Sequence, residues 1–202
     1  MFNLFKMKKQ EIRTKYKTKR KELDQSYVKL KSDDILKLIE LNLDLKDKKI
    51  SIFLPIEKFN EINTFQIIEH LESNSKIIAV PKTNFEELFM EHYVYEGKTN
   101  LDISKIGILE PNNNNKIQEE EFDIVFVPLL AIDKNGYRVG YGKGFYDTFL
   151  AKCNENCVFI GLNIFDETEE IDDIFELDIP LDLCITPSQI IRYQTIKTLP
   201  FK

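Results

Sequence analysis

The segment Asn135-Gly136-Tyr137-Arg138-Val139-Gly140-Tyr141-Gly142-Lys143-Gly144-Phe145-Tyr146-Asp147 holds four of the seven glycines in the chain. Two basic side chains and several aromatic rings are interleaved with them. Glycine lets backbone N–H groups come close to an anion, and a helix N-terminus adds positive potential. Arg138 and Lys143 would supply formal charge. The chemistry that such a stretch suggests is phosphate binding. It is not a Walker A loop: Tyr137 stands where the first glycine belongs, and Gly144 where Ser or Thr should follow the lysine. It is not the dinucleotide fingerprint either, because Phe145 or Asp147 falls on the third glycine position, depending on the register. By pattern alone an anion loop and a flexible turn both stay open. Arginine, lysine and tyrosine inside the glycine run favour the first, since a mere turn has no use for them.

The flanking elements must position this loop. Before it runs Asp123 to Pro128, apolar and β-branched, which reads as a buried strand. After it, Phe145, Phe149 and Leu150 are spaced for one face of a helix over Phe145 to Cys153. Lys6 to Leu30 has few breakers and reads as one long basic helix, with Lys9, Arg13 and Tyr16 sharing a face. Ser32-Asp33-Asp34 looks like the cap of a second helix. Lys49 to Leu54 is an apolar run closed by Pro55, and Lys76 to Val80 another closed by Pro81. Between them a helix begins at Asn63 or Thr64 and buries Phe65, Ile67, Ile68 and Leu71. Strand, helix, strand in that order argues for a βαβ unit and a parallel sheet. Phe89 to Tyr95 reads as an edge strand, and four consecutive asparagines (112–115) as a surface loop. Val158 to Leu162 and Leu183 to Thr186 read as strands, Ile190 to Thr195 as a tail or edge strand, and the acidic stretch Asp166 to Asp178 as loop and short helix. Ligands of open α/β sheets sit outside the carboxyl ends of the strands. Glu61, in the loop Pro55 to Ile62, falls there together with the glycine run.

Composition narrows the classes. With 202 residues, 43% of them hydrophobic, the chain can fill the core of one α/β domain. A net charge of −6 does not suggest nucleic acid as a partner. The charge is uneven: residues 1–31 carry eleven Lys/Arg against three Asp/Glu, and residues 165–182 carry nine acids and no base. These two segments would attract each other or each serve a site. Cys153, Cys157 and Cys184 have no metal-ligand spacing and read as free thiols in a reducing compartment. His70 and His92 are isolated, which argues against zinc. No run approaches the about 18 apolar residues of a membrane helix, and Met1 to Phe5 is too short for a signal peptide. A cytoplasmic, monomeric protein without membrane contact is the expectation.

Five segments, in order and spacing, resemble the 5-formyltetrahydrofolate cyclo-ligase family. They are Lys9-Gln10-Glu11-Ile12-Arg13, Glu61-Ile62-Asn63-Thr64, Gly107-Ile108-Leu109-Glu110-Pro111, the run from Val127 through the glycine loop to Leu150, and Asp178-Ile179-Pro180-Leu181-Asp182 with Ile185-Thr186. The resemblance covers most of the chain. It implies an α/β three-layer sandwich with a mostly parallel central sheet, plus the basic N-terminal helix, as one domain over residues 1–202. It implies ATP as co-substrate, Mg²⁺ as cofactor and 5-formyltetrahydrofolate as substrate. It further implies that Lys9, Gln10, Glu11, Ile12 and Arg13 reach the nucleotide from the N-terminal helix, together with Arg138, Val139, Gly140, Tyr141, Gly142, Lys143, Gly144, Phe145 and Tyr146. Arg138 and Lys143 would neutralise phosphate charge during catalysis. Leu54, Glu61 and the loop from Tyr141 to Phe145 would bind the folate, and Asp147 and Asp178 the metal. The family usually has tyrosine where this chain has Phe145, so a ring is kept and a hydroxyl is lost. Two other classes share these residues: a different ATP-dependent kinase or ligase, for which Glu61 would have no pterin, and a non-catalytic folate- or nucleotide-binding regulator.

Overall fold

A computed structural model describes residues 6–104, 107–195 and 197–202; Met1 to Phe5, considered above as a leader, lie outside the described residues. Two helices fill the N-terminal region, but the first ends at Lys21 rather than near Leu30, and the second starts at Gln25 rather than after Ser32: α1 (Lys9–Lys21) and α2 (Gln25–Asn42). The break has a physical cause. Asp24 caps α2 by accepting the Tyr27 N–H at 2.7 Å. Asn60, far along the chain, donates to the Arg20 and Leu23 carbonyls at 2.6 and 3.0 Å and so caps the end of α1. Ser32, expected to start a helix, lies inside α2; its hydroxyl donates to the Val28 carbonyl and accepts the Asn63 N–H.

There follow β1 (Lys49–Ser51), α3 (Thr64–Glu72), β2 (Ile77–Asn84), β3 (Phe89–Val94), β4 (Leu101–Ile103), β5 (Leu109–Pro111), β6 (Lys116–Ile117) and β7 (Ile124–Pro128). Then come β8 (Ala131–Asp133), β9 (Arg138–Val139), α4 (Phe145–Leu150), β10 (Val158–Leu162), β11 (Thr168–Glu169), β12 (Leu183–Ile185) and β13 (Ile190–Arg192). The main sheet has the order β13-β12-β10-β7-β1-β2-β3-β6. Its five central strands are parallel, β13 and β3 run antiparallel to them, and β6 pairs antiparallel with β3. The βαβ unit β1-α3-β2 is present as expected.

Strand β2 runs on through Pro81, which was expected to end it. Pairing with β1 stops at Ala79, so Pro81 has a strand neighbour on one side only, the setting in which proline is tolerated. Strand β3 is not an edge, because β6 pairs with it beyond the asparagine loop. The acidic stretch forms β11 and turns, with no helix among the described residues. Alternate residues of β7 face opposite layers. Ile124 and Phe126 pack with Ile35 and Ile39 of α2 and Ile67 and Leu71 of α3. Val125 and Val127 pack with Phe149 and Leu150 of α4. A small third cluster joins Ile12 and Tyr16 of α1 to Leu130, Ala131 and Val139. No helix among the described residues is long and apolar enough to cross a membrane. All three cysteines are unpaired.

Candidate active site

The chain leaves β1 for α3, on one face of the sheet, and leaves β7 towards α4, on the other. The strand order therefore reverses between neighbouring β1 and β7, and the loops after these strands diverge. Such a switch point opens a crevice where α/β proteins bind ligands. Arg20, Phe53, Glu61, Pro128 and Leu162 line that crevice.

Glu61 is 6% exposed. Its Oε2 accepts the Ile56 N–H at 2.9 Å, and its Oε1 accepts the Tyr141 hydroxyl at 2.7 Å. Burial pushes its pKa up, while Arg20, the Ile56 N–H and the Tyr141 hydroxyl pull it back. Burial also raises the phenol pKa of Tyr141, and the Glu61 charge adds to the shift. The ring of Phe59 leans on that of Tyr141 at 5.4 Å between centroids.

The glycine loop faces the same crevice mouth. Gly142, Lys143 and Gly144 are exposed. Among the described residues Lys143 has no hydrogen-bond or ion-pair partner. Arg13 lies over the loop: its Nε donates to the Gly140 carbonyl at 2.9 Å, and its Nη1 donates to Gln10 at 2.6 Å. A Cβ on Gly142, whose φ is +89°, would come within 2.9 Å of the Arg13 guanidinium carbon. Phe145 meets the ring of Phe85, from the β2–β3 turn, edge to face at 5.3 Å.

Arg138 is placed differently from Lys143. It is buried, and donates to the Ile179 carbonyl at 2.6 Å and to Asp147 at 2.8 Å. Burial lowers its pKa, and the Asp147 and Asp178 charges oppose that shift. Asp147 Oδ1 also accepts the Ile179 N–H at 3.2 Å. Asp178 pairs with the Lys9 ammonium and accepts the Phe175 N–H at 2.6 Å. The two acids thus converge on Arg138 from adjacent segments. Each keeps one carboxylate oxygen (Asp147 Oδ2, Asp178 Oδ1) without a hydrogen-bond partner among the described residues. That donor set suits Mg²⁺, which takes one or two carboxylates together with phosphates and waters. Among the described residues no group of three or more His, Cys, Asp or Glu side chains could hold a metal.

The model of the 5-formyltetrahydrofolate cyclo-ligase family matches residues 5–187. The chain belongs to this family. It is 27% identical over 169 residues to a probable 5-formyltetrahydrofolate cyclo-ligase of Schizosaccharomyces pombe, covering 77% of this chain and 82% of the relative. It is 31% identical over 142 residues to the 5-formyltetrahydrofolate cyclo-ligase of Haemophilus influenzae, covering 66% and 73%. The solved structure of a 5,10-methenyltetrahydrofolate synthetase from Aquifex aeolicus superposes with a TM-score of 0.78 at 26% identity, over 96% of both chains. A second, from Mycoplasma pneumoniae, shares the fold with a TM-score of 0.69 at 22% identity, over 90% of this chain and 100% of that one.

In this member of the family Ile12, Val139 and Leu54 are core residues, so Ile12 and Val139 would offer a ligand only their backbone. Glu11 caps α1 through the Lys8 N–H at 2.9 Å. Tyr146 packs edge to face against Phe149, and burial raises its pKa. Arg20 is a site residue that the sequence motifs do not single out. It is 4% exposed and sits between Glu61 and Tyr141. Extending the Lys9, Arg13, Tyr16 stripe by one more turn would have reached it.

Proposed function

We propose that this chain cyclises 5-formyltetrahydrofolate to 5,10-methenyltetrahydrofolate and converts ATP to ADP and phosphate. The observation that carries the reading is the 2.7 Å hydrogen bond from Tyr141 to Glu61. It joins the phosphate-type loop to the buried acid at the switch point. A nucleotide on the loop and a pterin on Glu61 would then be neighbours.

The formyl oxygen attacks the γ-phosphorus, and the bond to the leaving ADP oxygen breaks. The N5 lone pair moves in, leaving an N5-iminium carbon that carries phosphate. N10 attacks that carbon, its proton passes to solvent, and the carbon–oxygen bond breaks to release phosphate. The protein needs no nucleophile of its own. Its work is positioning and charge stabilisation. Backbone amides of Gly140, Gly142 and Gly144 cradle the phosphates, and Lys143, free of other partners among the described residues, meets the transferring group. Arg13 and Lys9 approach the nucleotide from α1. Arg138 acts through Asp147, which it holds in place. Glu61 accepts hydrogen bonds from the donor edge of the pterin, above the apolar floor that includes Leu54, and Phe145 packs on the folate. Asp147 and Asp178 would hold Mg²⁺, which when bound screens phosphate charge as a hard Lewis acid. We take the enzyme to be a single-domain, cytoplasmic monomer acting on small molecules.

The test mixes the protein with 5-formyltetrahydrofolate, MgATP and a no-ATP control, and follows the near-ultraviolet absorbance of the methenyl product. Product that appears only with ATP, and stops on chelation of the metal, supports the reading. ATP turnover that ignores the folate would overturn it.

A further inference from the structure

We propose that Arg20 is a positioning residue that keeps Glu61 ionised and aimed at the folate, so that the last turn of α1 forms part of the folate site. The inference rests on the function proposed above.

Lys9, Arg13, Tyr16 and Arg20 fall on one stripe of α1. The first two point to the glycine loop and Asp178. Arg20 lies two turns beyond Arg13 and reaches the switch point instead. Its Nη2 donates to the Leu129 carbonyl, just past β7, at 2.5 Å. Its Nη1 donates to the Tyr141 hydroxyl at 3.2 Å and stands 3.8 Å from Glu61 Oε1. Its Nε has no partner among the described residues. Asn60, the residue before Glu61, holds the Arg20 carbonyl. The loop that carries the acid is therefore tied to Arg20 at both the arginine's carbonyl and its guanidinium.

Stability does not account for this arrangement. Both side chains are almost fully buried, at 4% and 5% exposure. A buried ion pair commonly gains less from mutual attraction than desolvation takes away, and an apolar pair of similar shape is often as stable or more so. An unpaired buried N–H adds to the cost.

The proposed role of Glu61 does need the arginine. Each carboxylate oxygen already accepts one hydrogen bond from the protein. An ionised carboxylate retains acceptor capacity on both oxygens, which suits two parallel N–H donors on a pterin edge. Protonation would turn one of these positions into a donor and oppose the ligand. The groups facing Glu61 are Arg20, the Ile56 N–H and the Tyr141 hydroxyl, with Tyr146 close enough for its phenol to feel the Glu61 charge. Of these Arg20 alone carries a positive charge. Without it, desolvation would drive Glu61 towards the protonated form.

The experiment measures binding of 5-formyltetrahydrofolate and of ATP to wild type, Arg20→Met and Arg20→Lys by calorimetry, from about pH 6 to about pH 9. For Arg20→Met we expect folate affinity near neutral pH to fall about tenfold, the equivalent of one unit of pKa, and to recover as pH rises. ATP affinity should stay unchanged, and Arg20→Lys should restore most of the folate affinity with a flat pH profile. If Arg20→Met does not fold, Arg20→Gln, which keeps a donor for the Leu129 carbonyl, should show the same pH-dependent loss. Unchanged folate affinity in the uncharged variant would overturn the proposal alone. A pH-independent loss, or an equal loss for ATP, would also overturn it, as the mark of a purely structural role. A wild type that binds no 5-formyltetrahydrofolate would overturn this proposal and the function together.

Discussion

Replacing Gly142 with alanine tests whether the glycine loop is built around Arg13. The backbone there has φ +89°, a conformation that L side chains rarely adopt, and the new Cβ would stand 2.9 Å from the Arg13 guanidinium carbon. Two costs follow. Holding alanine at such a φ takes about 1–3 kcal/mol. The contact itself is relieved cheaply, because the guanidinium is the free end of a long side chain. That relief, however, pulls Arg13 off the Gly140 carbonyl and out of the position proposed for nucleotide binding. Gly97 provides the control. Its φ is +94°, and a Cβ there would meet nothing within 4 Å. Gly97→Ala should therefore lose stability of the same order without touching the site. For a chain of this length each kcal/mol lowers the melting temperature by about 2–4 °C, so both variants should melt roughly 2–12 °C lower. Only Gly142→Ala should also raise the KM for ATP, with the KM for folate much less affected. Thermal denaturation and steady-state kinetics on the two variants decide the matter. An unchanged ATP KM in Gly142→Ala, or a raised one in Gly97→Ala, would refute the reasoning.

Lys143→Ala removes a charge that has no partner among the described residues. Its melting temperature should therefore barely move, within about 0.5 kcal/mol of wild type, while kcat falls about 100-fold or more if the ammonium stabilises the transferring phosphoryl group; a small kcat effect would remove Lys143 from the chemistry. His92→Phe addresses the core. His92 stacks on Phe149 at 4.1 Å, neither ring nitrogen has a partner among the described residues, and burial pushes its pKa down to about 3. The unfolded chain takes up that proton below about pH 6.5, the folded chain only near pH 3. Between these limits the unfolded state binds more protons, so stability falls as pH falls. His92→Phe should flatten this acid slope, and equal slopes in urea denaturation at pH 7 and pH 5 for both proteins would count against it.

The sheet was legible in the sequence because its parallel strands are buried on both faces, and such strands are written as short apolar runs with proline or polar stops. Val158 to Leu162 and the strand before the glycine loop were read nearly to the residue. Most of the errors share one cause, which is that a distant partner decided the local structure. Between Lys6 and Leu30 the local sign of a break is Asp24, the cap of α2, while the cap on the end of α1 comes from distant Asn60. Pro81 stays in its strand because β1 stops short of it. Ser32 is a better local cap than a core residue, yet the Asn63 N–H completes its hydrogen bonding inside α2. The same holds at the site. The glycine loop and its lysine are visible as composition, and Arg20 lies one turn further along the α1 stripe, whereas the burial of Arg138 is a product of packing and leaves little trace in spacing.

The basic arm and the acidic stretch illustrate how packing and charge divide the work. Lys15–Glu169 at 2.6 Å and Lys19–Glu167 at 2.8 Å are at least partly exposed pairs, each worth well under about 1 kcal/mol. Ile12 and Tyr16 are fully buried under the same helix, and burial of such side chains is worth about 1.5–3 kcal/mol each. The apolar pair therefore holds α1 down, and the ion pairs fix which way it faces. Because α1 is one rigid rod, its register sets Lys9 against Asp178, Arg13 against Gly140 and Arg20 against Glu61 at the same time. A rotation or slip that weakened one of these contacts would weaken all three. The groups proposed for metal, nucleotide and folate are thereby coupled through a helix that makes no part of the sheet, and this gives a physical reason for a site assembled from both ends of the chain.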